Sequence, residues 1–278
     1  MGPRQYQPST LKKVSALHNY LKVAPYVLPE NRATHASVLW HGDLHLQNIF
    51  VDPGEPTHVL GIIDWQSVSA CPLFMQVTRP NFLDYNGPAP EELQQVRLPA
   101  NFDDSMIPDE QQKAKALHQA QTLHNLYLAR SRQVNIEAFQ AMQGQDTLRH
   151  QVSVVPGLTL TDYEPCLSSL LRDAEKQCSK IVGMGTDGLP LVPCPLHLSA
   201  AEIQQQERDE ELWAGGVELM NNFISDTGYF KHWDGRVSDV DYELSKRQLA
   251  EGIERFLSRE ARNEDECKAW LNVLPFVD

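Results

Sequence analysis

The sequence predicts an α+β fold in which helices dominate and a small β-hairpin lies near the start. Three observations carry this. Short apolar runs at 37–40, 49–51 and 59–63 have the length of strands, and the last two flank Asp52-Pro53-Gly54, a turn sequence that lets them pair. From about residue 109 onward, apolar residues recur at helical spacing. No internal repeat or low-complexity tract interrupts this order, so a little β structure is followed by helices.

Residues 9–22 read as a helix. Ser9 or Thr10 can cap it, Leu11, Val14, Leu17 and Leu21 share one face, and Pro25 and Pro29 end it. The strand at 37–40 leads into a polar loop, residues 42–48, and then the hairpin. Residues 67–108 are rich in proline and polar groups. They predict an irregular segment centred on 80–88, either lining a cleft or looping over the surface. Asp109 precedes a helix to about Gln143 that turns Ala116, Leu117, Ala120, Leu123, Leu126 and Tyr127 inward. Thr161 opens another, with Leu167, Leu170, Leu171, Ala174, Cys178 and Ile181. Ser199-Ala-Ala-Glu202 is a capping box for a helix carrying Leu212, Trp213, Leu219, Met220 and Phe223, closed by Gly228. Ser238 opens a helix with Leu249, Ile253, Phe256 and Leu257, and residues 264–274 form the last.

Bulk properties narrow the partners. With 278 residues and 41% hydrophobic content, the chain can bury a sizeable core. A formal net charge of −13 repels phosphate backbones and argues against nucleic acid, whereas a metal ion can bridge a small anion such as ATP to carboxylates. Cysteines at 71, 166, 178, 194 and 267 are odd in number and form no C-x-x-C pair, so they read as reduced thiols. No apolar run approaches the length of a membrane span. The first residues lack both the apolar core of a signal peptide and the pattern of a transit peptide.

The chemistry concentrates in His41-Gly-Asp-Leu-His-Leu-Gln-Asn48 and Gly61-Ile-Ile-Asp-Trp-Gln66. Asp43 follows a strand and is placed to accept a proton from a hydroxyl. Asn48 offers an amide oxygen, a metal ligand that adds no charge. Asp64 ends the second hairpin strand, where a carboxylate can chelate Mg²⁺. Phosphoryl transfer needs a group that orients the nucleophile and divalent ions that neutralise developing charge. A lone Asp before an Asn is ordinarily a turn or a cap; the full set around a hairpin points to chemistry. His41 reads as structural, positioning the loop backbone. His45 either touches substrate or phosphate or does neither. Gln66 is a supporting candidate, and Trp65 reads as core packing.

The run from Val38 to Gln66 resembles the catalytic and metal loops of the aminoglycoside phosphotransferase and choline kinase-like superfamily, H-G-D-x-x-x-x-N followed by I-D-W. More narrowly, Leu21-Lys-Val-Ala-Pro, the motif itself and Pro80-Asn-Phe-Leu-Asp-Tyr are similar to a fungal branch typified by altered inheritance of mitochondria 9 proteins. The resemblance implies a protein-kinase-like fold, ATP and Mg²⁺ as cofactors, Asp43 as catalytic base, and Asn48 and Asp64 as metal and cofactor-binding ligands. It also implies a nucleotide, a hydroxyl-bearing substrate and a mitochondrial location. One departure is large. Such kinases begin with a nucleotide-binding lobe, and here the catalytic loop arrives by residue 41 after a single helix. The expectation is one C-terminal lobe over residues 1–278, impaired in catalysis, with a partner supplying the missing lobe. Gly183-Met-Gly-Thr-Asp-Gly188 matches G-x-G-x-x-G, but it follows a helix and precedes Leu-Pro-Leu-Val-Pro, so it reads as a helix end and turn.

Three readings are open: a phosphotransferase lobe, a non-catalytic binding or scaffold module that keeps the motif, and a metallohydrolase. The last would use His41, Asp43 and His45, which alternate and would share one face of a strand. The acidic run at 207–211 is either a solvated face or a surface for a cationic substrate.

Overall fold

A computed structural model describes residues 2–66, 68–85, 102, 107–227 and 237–274. The chain forms two compact units, Val27–Val154 and Met1–Tyr26 with Val155–Asp278.

The unit at 27–154 carries the β structure. Strand β1 (Ser37–Leu39) pairs antiparallel with β4 (Ala70–Pro72), and β2 (Ile49–Val51) pairs antiparallel with β3 (Val59–Ile62) in the expected hairpin. Asp52 closes the hairpin turn by accepting the Gly54 amide at 2.7 Å, and its own amide bonds the His58 carbonyl at 2.9 Å. The segment at 67–108 is not wholly irregular. Its described part holds β4, the short helix α2 (Leu73–Gln76) and a 3₁₀ turn at Asn81–Leu83; most of the rest lies outside the described residues. Gln76 fastens α2 to the sheet by donating to the Val38 and Cys71 carbonyls at 2.5 and 2.8 Å.

The helix predicted from 109 to 143 is two helices. α3 (Pro108–Val134) ends at Asn135, whose side chain accepts the Ala138 amide at 3.0 Å and so caps α4 (Ile136–Gln143). α4 folds back on α3, and this decides which side of α3 is covered. His124, Asn125, Leu128 and Ser131 are buried, while Leu117, Leu123 and Leu126 are about half exposed. Apolar residues lie on two sides of α3, so their spacing alone picked the wrong face. Leu73, Val77, Leu128, Ala138, Ala141 and Met142 form the core, with Val38 and Trp40 packed against it. α5 (Leu148–Val154) completes this unit.

The second unit is helical. α1 (Thr10–Val27) is capped by Ser9, whose Oγ accepts the Lys12 amide. It runs through Pro25 rather than ending there. Pro25 lies in the last turn, where the missing N–H costs a single internal bond, and burial of Val23 and Val27 on either side holds that turn in place. After a 3₁₀ stretch at Val155–Thr161, α6 (Glu164–Lys176) starts three residues beyond the expected Thr161. α7 (Cys178–Val182) follows a break at Gln177. The capping box forms as expected: Ser199 and Glu202 exchange side-chain-to-backbone bonds at 2.8 and 3.3 Å at the start of α8 (Ala200–Thr227). Gly228, its expected terminator, lies outside the described residues. α9 (Tyr242–Glu260) starts after Asp241 rather than at Ser238; the Asp241 carbonyl accepts the Ser245 amide at 2.8 Å but its side chain makes no capping bond, and Ser238 donates to the Asp241 carboxylate. α10 spans Glu264–Leu271. Phe256 is the centre of the packing here, with the Phe223 and Trp270 rings edge-on at 5.5 and 5.1 Å.

The acidic run at 207–211 is partly used internally. Asp209 pairs with Lys12 at 3.0 Å, and Glu210 pairs with the buried Arg172. The cysteine expectation fails at one pair. Cys178 and Cys194 are bonded, with Cα atoms 5.8 Å apart, while Cys71, Cys166 and Cys267 are free. The turn between them explains this. Gly183 and Gly188 take φ of 84° and 77°, which only glycine adopts readily, and the Gly183 carbonyl accepts the Leu191 amide at 3.0 Å. The G-x-G-x-x-G run is therefore a reversal after α7 that brings residue 194 back to residue 178.

Candidate functional site

The site is built on the strand-to-hairpin connection of the first unit. β1 delivers the chain to Trp40 and His41, residues 42–43 make a turn, and a 3₁₀ turn at Leu46–Asn48 enters β2. Residues 41–45 are thus not a strand, and His41, Asp43 and His45 do not share a face as the metallohydrolase reading required. His41 Nε2 instead donates to the Ile63 carbonyl at 2.8 Å, across the hairpin. Its ring meets Trp65 edge-on at 4.9 Å, and Trp65 Nε1 donates to the Ile62 carbonyl at 2.9 Å. Trp65 is 48% exposed, so it is a lid on His41 rather than a core residue.

Asn48 is the buried member, 4% exposed. Its Nδ2 donates to the Asp43 carbonyl at 3.1 Å, and its backbone oxygen accepts the Ile63 amide at 3.0 Å. One residue therefore ties the Asp43 turn to the end of β3. Because a carbonyl can only accept, the amide nitrogen must face Asp43, which leaves the Asn48 Oδ1 as its acceptor atom.

Asp64 has φ of 66°, a left-handed conformation that Asp and Asn tolerate better than most residues. Leaving β3 at that angle, Asp64 joins Asp43 and His45. Ligand atoms of these three side chains lie within 4.8 Å of one another. Two ligands facing each other across an ion stand roughly 4.2 Å apart for Mg²⁺ and up to roughly 5 Å for Ca²⁺. Two carboxylates within this distance are close enough to share a divalent cation. Asp43, Asp64, Gln66 and Gly42 line a cleft of about 300 Å³ that also reaches Ser69 and Gln76.

Two contributors were not singled out from the sequence. Gln47 Oε1 lies 2.9 Å from His45 Nδ1; its place two residues after the histidine in a 3₁₀ turn is the only local signal. The Ile63 carbonyl takes the His41 bond, and a backbone acceptor leaves no mark in residue identity.

Residues 4–75 match the phosphotransferase enzyme family. The matched span includes every site residue from His41 to Gln66 and supports a kinase-like superfamily relationship, whose members generally use ATP and Mg²⁺. Over 225 residues the chain is 26% identical to subtelomeric hrmA-associated cluster proteins of two Aspergillus fumigatus strains, covering 79% of this chain and 42% of each relative. The chain thus spans less than half the length of the curated relatives it matches. No solved structure matches it. No helix among the described residues is long and apolar enough to cross a membrane.

Proposed function

We propose that the chain carries the catalytic loop of a kinase-like phosphotransferase that moves the γ-phosphate of ATP to a substrate hydroxyl. The convergence of Asp43 and Asp64 across a hairpin clamped by His41 and Asn48 carries this reading. The motif lies inside the segment that matches the phosphotransferase family. Asp43 is exposed on the turn, and its carboxylate takes the proton of the attacking hydroxyl as the oxygen–phosphorus bond forms and ADP departs. Asp64 and the Asn48 amide oxygen would hold Mg²⁺, which would supply positive charge to offset the negative charge developing on the transferred phosphoryl group. His41 and Asn48 keep the two carboxylates in place.

A second reading, a module that keeps the ion site without transferring phosphate, is favoured by one observation. No Lys or Arg is among the described residues lining the cleft, so nothing there offers a fixed positive charge to a triphosphate. We therefore expect the isolated chain to bind Mg-ATP weakly and turn it over slowly. Calorimetry with Mg-ATP and an ADP-release assay test this; tight binding with fast turnover would refute the weak-binding claim. Asp43→Asn should abolish any transfer and leave the circular dichroism spectrum unchanged. Transfer that survives this substitution would remove Asp43 as the base.

A further inference from the structure

The aromatic core of the helical unit does not close. α8, α9 and α10 leave a cavity of about 600 Å³ between them, which also reaches Gly2 and Gln5. Its described lining residues all belong to this one unit. Phe223, Phe256 and Trp270 are buried at its floor, and Tyr163 and Asn221 are exposed at its mouth. Two glycines border the space. Gly216 lines it from the interior of α8, where a glycine weakens the helix relative to alanine. Gly2 lies so close to the Trp270 ring that a Cβ there would fall 1.8 Å from Cζ3. Protein interiors hold few voids larger than a water molecule, and an apolar void of about 150 Å³ already takes up benzene. Pockets for small organic ligands run from about 300 to about 1,000 Å³.

The chemistry of the walls narrows the occupant. No Asp, Glu, Lys, Arg or His is among the described residues that line the cavity. A charged molecule would lose its hydration there and meet no opposite charge, so a neutral one fits. Its body is apolar, to match the aromatic and aliphatic walls. One polar atom is left over. Trp270 is 5% exposed, and its Nε1 meets no acceptor among the described residues. An indole N–H only donates, and a buried one ordinarily finds a partner. We propose that this cavity binds a small neutral molecule with an apolar body and a carbonyl-type oxygen that accepts from Trp270 Nε1. No residue of the Asp43 loop lines the cavity, so this binding is independent of the phosphotransferase reading.

The test uses the full chain and propionyl-dimethylaminonaphthalene, a neutral ketone whose emission moves to the blue in apolar surroundings. Dimethylaminonaphthalene, the same rings without the carbonyl, is the comparator. The wild-type chain should bind the ketone with a blue shift, and more tightly than the comparator. Trp270→Phe keeps an aromatic floor and removes the donor. It should weaken ketone binding about 5-fold, the loss of one hydrogen bond, and leave the comparator unchanged. Gly216→Leu adds bulk at the wall and should weaken both ligands at least ~10-fold. Val217→Trp, at the exposed mouth, gives the same readout if the leucine disturbs α8. Among the indole resonances of the five tryptophans, the one missing in Trp270→Phe should shift when the ketone binds the wild-type chain. No binding to the wild-type chain, or binding that none of these substitutions changes, would overturn the site. Equal weakening of ketone and comparator by Trp270→Phe would overturn the carbonyl contact. Binding that appears only in Phe276→Asp, or only when a dimer seen by sedimentation dissociates, would make the occupant the C-terminus of the chain or a second copy, and would overturn the proposal as well.

Discussion

Asn48→Asp separates the structural work of the loop from its chemistry. The substitution keeps shape and volume but replaces the Nδ2 donor with an oxygen facing the Asp43 carbonyl, 3.1 Å away in the native loop. The lost hydrogen bond is worth about 1 kcal/mol, and a carbonyl left partly buried without its donor adds about 1–2 kcal/mol. With the site only 4% exposed, a loss of roughly 2–3 kcal/mol in unfolding free energy follows at neutral pH without divalent ions. The loss depends on pH. Burial raises the folded-state pKa of the introduced carboxyl above its unfolded value of about 4. The penalty is absent below the unfolded value, grows as pH rises and is full above the folded value. In its neutral form the group is again a donor to the Asp43 carbonyl. A divalent ion should act in the opposite sense, because the added charge strengthens the site; an ion at 100 times its dissociation constant contributes about 2.7 kcal/mol. Urea unfolding followed by circular dichroism at pH 4.5 and 7.5, with and without Mg²⁺, reads all of these. Equal stability of variant and wild type at pH 7.5 without ion would refute the anchoring role, and a loss unchanged between the two pH values would refute the electrostatic part.

Other expectations are simpler. Ser199→Ala removes the Oγ that accepts the Glu202 amide and donates to the Glu202 carboxylate, leaves the residue-199 amide bonded to that carboxylate, and should cost about 1 kcal/mol at neutral pH by urea unfolding. The Ser199 bonds hold the Glu202 carboxyl below its ordinary value, so this stability is present above the unfolded pKa and fades as pH falls through the folded one. A difference that persists undiminished in strong acid would show that Glu202 is not involved. Cys178→Ser opens a loop of sequence separation 16, and the chain-entropy relation predicts a loss of ~3 kcal/mol. Oxidised wild type and variant with the same melting temperature would contradict the bond. Phe256→Ala removes the ring between Phe223 and Trp270 and should cost about 3–5 kcal/mol by urea unfolding. A loss under about 1 kcal/mol would mean that this cluster is not a core.

What could be read from the sequence was local. The hairpin followed from Asp52-Pro53-Gly54 between two apolar runs, and the capping box from Ser199 and Glu202, because each device acts within a few residues of itself. The approach of Asp64 to Asp43 was legible for the same reason: a short hairpin joins their segments. What was missed depended on distant packing. The buried face of α3 was set by α4 folding back after Asn135, and the length of α1 by burial of Val23 and Val27 around Pro25. The Cys178–Cys194 bond needed the reversal at Gly183–Gly188, which spacing alone does not reveal. Trp65 was misplaced because an aromatic beside an apolar run reads as core, whereas here it covers His41.

The left-handed backbone at Asp64 bears on how such a chain can drift. Most side chains there would cost about 1–2 kcal/mol, and β-branched ones more, so the residues admitted cheaply are glycine, asparagine and aspartate. Only aspartate carries a charge. If Asp64 holds an ion as proposed, a single drift to asparagine would leave folding intact while silencing the site. Fold and proposed chemistry would then be separable at this one position, and aspartate is the one cheaply tolerated residue that serves both.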